Sequence, residues 1–172
     1  MTPFKQHDAL PRILTERQHL AISECLAELG EKLRISAVLL VDSAGRVVSH
    51  KVQTAGQFDL TLLSALTANT YAAAKELARV LGEPDNFKMV LHEGNKYHTF
   101  VANVERNFFL VVVFEPGVAL GMVRLFMKKT IAQLSPILTK IEEEDGAIGQ
   151  IIDDRFEALL EEELDRTFKE HS

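Results

Sequence analysis

The seven residues Phe108–Phe114, FFLVVVF, constrain this chain more than any other stretch. They are apolar without alternation, rich in β-branched and aromatic side chains, and strand-sized rather than membrane-sized. Such a run reads as a strand buried on both faces, central in a sheet that is covered above and below. The rest of the chain must therefore supply other strands to flank it and helices to cover it. With 172 residues, 47% of them hydrophobic and 26% charged, a soluble domain with a sizeable core is within reach.

The flanking pieces are legible on both sides. Ile35–Val41 and Val47–Val52 are apolar, β-branched runs separated by Asp42-Ser43-Ala44-Gly45. Asp at the first and Gly at the fourth position are type I turn preferences, so the segment reads as a hairpin. Asp42 and Gly45 are then structural turn residues; no histidine is placed to make Asp42 and Ser43 catalytic. Phe87–Glu93 and Tyr97–Val104 form a second hairpin around Gly94-Asn95. A two-residue turn would set Glu93 opposite Lys96, His92 opposite Tyr97 and Leu91 opposite His98. His92 and His98 would then point to opposite faces, and with the other histidines scattered no metal site is expected.

Helical periodicity fills the gaps. Ile22, Leu26, Leu29 and Leu33 give the first helix one apolar face, which Cys25 joins as a small hydrophobe, with Pro11 suited to the first turn. Asp59 is an N-cap and Gly82 a C-cap for a second helix ending near Leu81, with Pro84 beyond. Two stripes run along it. Leu62, Leu66, Ala73, Leu77 and Leu81 are expected to face the sheet. Ala65, Asn69, Ala72, Glu76 and Arg79 form the other stripe, with Ala68 beside it. Alanine there is either helix propensity alone or a low-relief surface that admits another backbone closely. A third helix carries Leu120, Val123, Met127, Ile131, Leu134, Leu138 and Ile141 inward, and Pro136 is expected to kink or end it near Leu134. Glu142–Gly149 reads as an acidic, glycine-bearing linker. A last amphipathic helix follows, with Ile148, Ile152, Phe156, Leu159 or Leu160, Leu164 and Phe168 on one side. Residues 1–11 read as a loose N-terminus, 12–141 as the domain and 142–172 as linker and tail.

The order is helix, two strands, helix, three strands, helix, with an added C-terminal helix. The fold class is α+β: an antiparallel five-stranded sheet with helices on its faces. A net charge of −6 with acids clustered toward the C-terminus argues against nucleic acid and anionic membranes as partners. No apolar run is long enough for membrane insertion. The lone Cys25 forms no internal disulfide, and a reducing cytoplasm is the expected location. Paired carboxylates, a Cys–His pair, a glycine-rich phosphate loop and a metal cluster are all missing from the pattern. No active site of its own and no cofactor are expected.

Taken together, "VLLVDSAGRVVSH", the alanine-rich helix ending "LGE", a hairpin and "FFLVVVF" before a helix resemble the roadblock / dynein light chain family, over about Ile35 to Ile141. Asp42-x-x-Gly45-x-Val47-Val48 is family-like, and "AAAKELARVLGE" resembles the bacterial MglB-type branch, whose members regulate a Ras-like GTPase of cell polarity. The resemblance implies a homodimer. Its third strands would pair edge to edge through Phe87, Met89, Val90 and Leu91, and its second helices would lie side by side, bringing in Ala73 and Leu77. It implies that Ala65, Ala68, Asn69, Ala72 and Glu76 contribute to a helical floor for the GTPase. The regulator would be a GTPase-activating protein that positions its partner's switch residues; Arg46 and Arg106, both at turns, are the candidates for the alternative, an inserted arginine. A non-catalytic roadblock scaffold linking signalling proteins is the rival reading, and a small-molecule sensor a third.

Overall fold

The structure is a computed structural model that describes residues 14–53, 58–83, 87–105 and 107–169; beyond Glu143, side chains are described only at Arg155 and Leu159. Pro11, Pro84 and Arg106 lie outside the described residues. The elements are α1 (Glu16–Leu33), β1 (Ala37–Asp42), β2 (Val47–Val52), α2 (Leu60–Leu81), β3 (Met89–Glu93), β4 (His98–Glu105), β5 (Phe108–Phe114) and α3 (Leu120–Lys169). The chain divides into two compact units, one spanning Leu14–Leu138 and the other containing the segment from Thr139 onward.

In the first unit the five strands form one sheet in the order β2-β1-β5-β4-β3, every neighbouring pair antiparallel. FFLVVVF is its central strand, buried along its whole length, as an unalternating apolar run requires. Alternate residues serve two layers. On one face Ala37, Leu39, Val41, Val101, Phe109, Val111 and Val113 form a core cluster beneath α2. On the opposite face, Gly30 of α1 lies against Val38 and Lys51, and Arg124 of α3 lies over the Phe100 ring. Ile22, Leu26 and Leu29 of α1 and Val123, Met127, Leu134 and Leu138 of α3 are buried.

Four expectations need correction. The first helix starts at Glu16, not near Pro11. Thr15 is its N-cap in a capping box: Gln18 N–H donates to Thr15 Oγ1 (3.3 Å) and Thr15 N–H to Gln18 Oε1 (2.9 Å). The second hairpin is two residues out of the expected register, with Glu93 opposite His98 and His92 opposite Thr99. Its loop is closed by Gly94 N–H donating to the Tyr97 carbonyl (3.1 Å). A Cβ on Gly94 would lie 2.7 Å from that oxygen, so glycine is needed for close approach. A slip of two keeps the parity, and His92 and His98 do face opposite ways.

Pro136 does not end the third helix, which runs from Leu120 to Lys169. Proline still removes a backbone donor. Leu134 and Leu138, buried on either side of it, hold the helix down, and Ser135 Oγ donates to the Val104 carbonyl (3.3 Å). Glu142–Gly149 is likewise helix rather than linker. The C-terminal helix is thus a continuation of α3, and the apolar stripe expected from Ile148 to Phe168 falls mostly on side chains outside the described set. The fourth correction, the orientation of α2, bears on function.

Candidate protein-interaction surface

Local chemistry fixes where α2 begins and ends. Asp59 Oδ1 accepts from Leu62 N–H (3.0 Å) at its N-terminus. At the other end Gly82 adopts φ +74°, and the N–H groups of Gly82 and Glu83 return to the Arg79 and Ala78 carbonyls.

The Asp42–Gly45 turn fixes how α2 sits. Asp42 is buried, and its carboxylate accepts from Ala44 N–H (3.0 Å), Arg46 N–H (2.9 Å) and Arg46 Nε (2.7 Å). Ser43 N–H donates to the Asn107 carbonyl (2.8 Å), tying the turn to the β4–β5 hairpin. Gly45, at φ +80°, sits so close to α2 that an added Cβ would lie 3.1 Å from Ala65 Cα and 3.5 Å from Ala68 Cβ. Ser64 Oγ crosses the gap and donates to the Gly45 carbonyl (2.7 Å). Further along, the Tyr71 ring stacks on Phe109 at 5.3 Å. Burial pushes the Tyr71 hydroxyl pKa up.

With α2 held this way, Leu63, Ser64, Thr67, Ala68, Tyr71 and Ala78 lie on the sheet side. The leucine stripe does not. Leu62 (56%), Leu66 (55%), Leu77 (52%) and Leu81 (64%) are exposed along one flank, with Ala73 among them and Val80 nearby. Bulk alone does not mark the buried side of this helix. Here the approach of Gly45 demands small residues at Ala65 and Ala68, Leu63 and Tyr71 supply the bulk against the sheet, and the other leucines are left outside. Ala68 is corrected with them: it packs on the core cluster and is not part of the outer face. Ala65, Asn69, Ala72 and Glu76 are exposed on the outer face. Glu76 pairs with Arg79 Nε (2.9 Å), a solvent-screened contact of little energetic weight.

At the end of the sheet, β3 pairs on one side only, with β4. Met89, Val90 and Leu91 are half-buried, as is Phe87 just before the strand. Val90 faces the cluster under α2.

The other candidates take quieter places. Arg46 is drawn back onto Asp42 and does not project from the turn. Cys25 sits half-buried on α1, its thiol pKa raised by burial and then by Glu28 and Glu24, the opposite of what a nucleophile needs. Among the described residues no group of three or more His, Cys, Asp or Glu gathers as a metal site, and no helix is long and apolar enough to cross a membrane. A depression of about 590 Å³ beside the start of α1, lined by Leu14, Glu16, His19, Leu20 and Ser23, has none of the convergent buried polar groups that orient a small ligand.

An antiparallel sheet with α2 on one face and large apolar side chains exposed along that helix has the form of a regulatory or scaffolding domain. The chain belongs to the Roadblock/LC7 domain family, whose pattern matches residues 22–114. Among solved structures it is similar to Myxococcus xanthus MglB, with 32% identity, a TM-score of 0.69, and coverage of 75% of this chain and 96% of that one. It is also similar to the gliding protein MglB of Thermus thermophilus, with 28% identity, a TM-score of 0.70, and coverage of 74% and 96%. An uncharacterized protein of Aquifex aeolicus (strain VF5) is 27% identical over 140 residues, 79% of this chain and 84% of that protein.

Proposed function

We propose that this protein is a homodimeric regulator of a small Ras-like GTPase, acting as a GTPase-activating protein, with α2 serving both associations. The observation that carries the reading is the exposed leucine flank. Four leucines more than half exposed on one helix form an apolar surface of the kind that marks an interaction site. A 22-residue helix is about 33 Å long, enough for an extended contact. A second copy covers the flank by symmetry: Leu66, Ala73 and Leu77 of one α2 meet the same residues of its mate. The β3 edges, Met89–Glu93, pair across the same two-fold axis, which removes the hazard of an open strand. Phe87, Met89, Val90 and Leu91 belong to this interface.

The outer face is left for the GTPase. Ala65, Asn69, Ala72 and Glu76 are exposed and, apart from Glu76, low in relief, so a partner backbone approaches without displacing long side chains. The regulator then works by holding switch residues in place while the GTPase performs its own phosphoryl transfer. The Arg46–Asp42 pair is in keeping with that route, because an arginine occupied in its own turn is not offered to a nucleotide.

The test separates the two faces. Leu77→Glu should convert the dimer to a monomer by sedimentation velocity. Ala72→Arg should leave the dimer intact and abolish binding of the GTP-loaded GTPase. Loss of the dimer in Ala72→Arg, or normal binding by it, would overturn the assignment. Binding by the wild type with unchanged hydrolysis would instead favour the scaffold reading.

A further inference from the structure

Charge is unevenly shared by the two helices on the sheet face opposite α2. Within the first unit, α3 from Leu120 to Leu138 holds Arg124, Lys128 and Lys129 and no acid. Beside it, α1 carries a row of acids, Glu24, Glu28 and Glu31, spaced four and three residues apart on one exposed stripe. The two helices meet at Phe126, whose ring Lys32 of α1 and Lys129 of α3 approach at 5.6 and 5.7 Å. Glu28 pairs with Lys32 there. Its carboxyl is held below the usual carboxylate range by Lys32 and, more weakly, by Gln133 and Lys129.

One acid therefore answers two ammonium groups on the α1 side of α3. On the other side the bases are unanswered. Arg124 lies over the Phe100 ring of β4 at 5.8 Å, away from α1, and Lys128 follows one helical turn later. Both are exposed, as is Lys129. Among the described residues Arg124, Lys128 and Lys129 form no ion pair. Met122 (45%) and Leu125 (53%) are exposed between these bases, and Met122, Leu125 and Lys129 recur at the spacing of one helix face.

We infer that this strip of α3, Met122 and Leu125 with Arg124, Lys128 and Lys129 around them, docks an acidic segment of a partner protein that carries an apolar residue among its carboxylates. Three unmatched cations select an anion, and two exposed apolar side chains select an apolar anchor beside it. The breadth of the strip selects a peptide segment over a membrane or a nucleic acid. Arg124 to Lys129 spans about 8 Å of helix axis. A broad anionic surface pressed on it also meets Glu24, Glu28 and Glu31 and is repelled by them. A single segment lying along α3 meets the bases and clears the acid row. The strip lies on the opposite layer of the sheet from α2, so the inference does not rest on the function proposed above, and a partner on α2 does not compete for it.

Fluorescence anisotropy on the full-length chain tests it, with a labelled peptide of repeated Glu-Glu-Leu-Glu as the probe. Affinity at about 50 mM salt should exceed that at about 500 mM by about tenfold, because exposed charges are screened. Lys128→Glu with Lys129→Glu should weaken binding about tenfold at the lower salt, and Lys128→Gln with Lys129→Gln should weaken it less. Leu125→Ser should weaken it about fivefold through lost apolar burial. Each variant should keep the far-UV circular dichroism of the wild type. The same peptide with Gln for every Glu should not bind, and vesicles with about 30% phosphatidylserine should stay free. No binding of the acidic peptide at low salt, full binding by the charge-reversed variant, or equal binding of the Gln peptide would each overturn the inference. Vesicle binding that disappears in the charge-reversed variant would overturn it in favour of a membrane. A change in the protein's own sedimentation mass on charge reversal would overturn it in favour of another copy.

Discussion

Gly45 shows how much one residue carries. Its φ of +80° is costly for any residue with a side chain, and the space a Cβ would enter is held by Ala65. Gly45→Ala should lower stability by roughly 2–3 kcal/mol, combining left-handed strain of about 1–2 kcal/mol with the collision against α2. Ser64→Ala, which removes only the hydroxyl that reaches the Gly45 carbonyl, should cost about 1 kcal/mol. Urea titrations monitored by far-UV circular dichroism check both. Equal losses would mean that the close approach at Gly45 relaxes freely. The turn itself was legible in the sequence, because Asp and Gly at those positions have local preferences. The reason for its rigidity was not, since Ala65 and Ser64 lie about twenty residues away and only the folded chain brings them to the turn. Cys25 gives a second prediction at this scale. A thiol with a raised pKa holds less thiolate at a given pH, so the native protein should react with a thiol-specific disulfide reagent at pH 8 more slowly than the urea-unfolded chain. A faster native reaction would revive the nucleophile that the sequence argues against.

Among the elements, β5 and α2 mark the limits of periodicity. The FFLVVVF strand was readable at once, with matching bounds, because a run without polar residues has no side to turn outward. On α2 the period was right and both caps were right, but the assignment of faces was wrong. Periodicity reports that leucines share a side; it does not report what covers that side. Ser64, Thr67 and Ala78 are buried on the sheet side of the helix, while Leu62, Leu66, Leu77 and Leu81 line its exposed flank. The resemblance to the family placed Ala73 and Leu77 on a pairing surface, and their exposure is compatible with that role. If it is correct, Leu66→Glu should weaken self-association at least a hundredfold, since burying a leucine is worth about 1.5–3 kcal/mol and a stranded carboxylate adds to the loss. A concentration series by sedimentation gives the constant. An unchanged constant would leave the flank unexplained.

At the scale of the molecule, α3 exceeded what local rules allow. Pro136 and the glycines at 146 and 149 argued for a break, yet helix continues through all three. Single-residue preferences of about 1–3 kcal/mol are overridden where neighbours on both sides are anchored, and Leu134 and Leu138 supply that anchoring around the proline. The family, by contrast, was accessible from the order of elements, which the folded chain keeps. In the proposed function the outer face of α2 is the seat for a nucleotide switch that cleaves its own bond. Single-turnover GTP hydrolysis by the Ras-like GTPase of the same cell, with wild-type protein and with Ala72→Arg, tests this most directly. The prediction is strong stimulation by the wild type and the intrinsic rate with Ala72→Arg. Full stimulation by Ala72→Arg would contradict it.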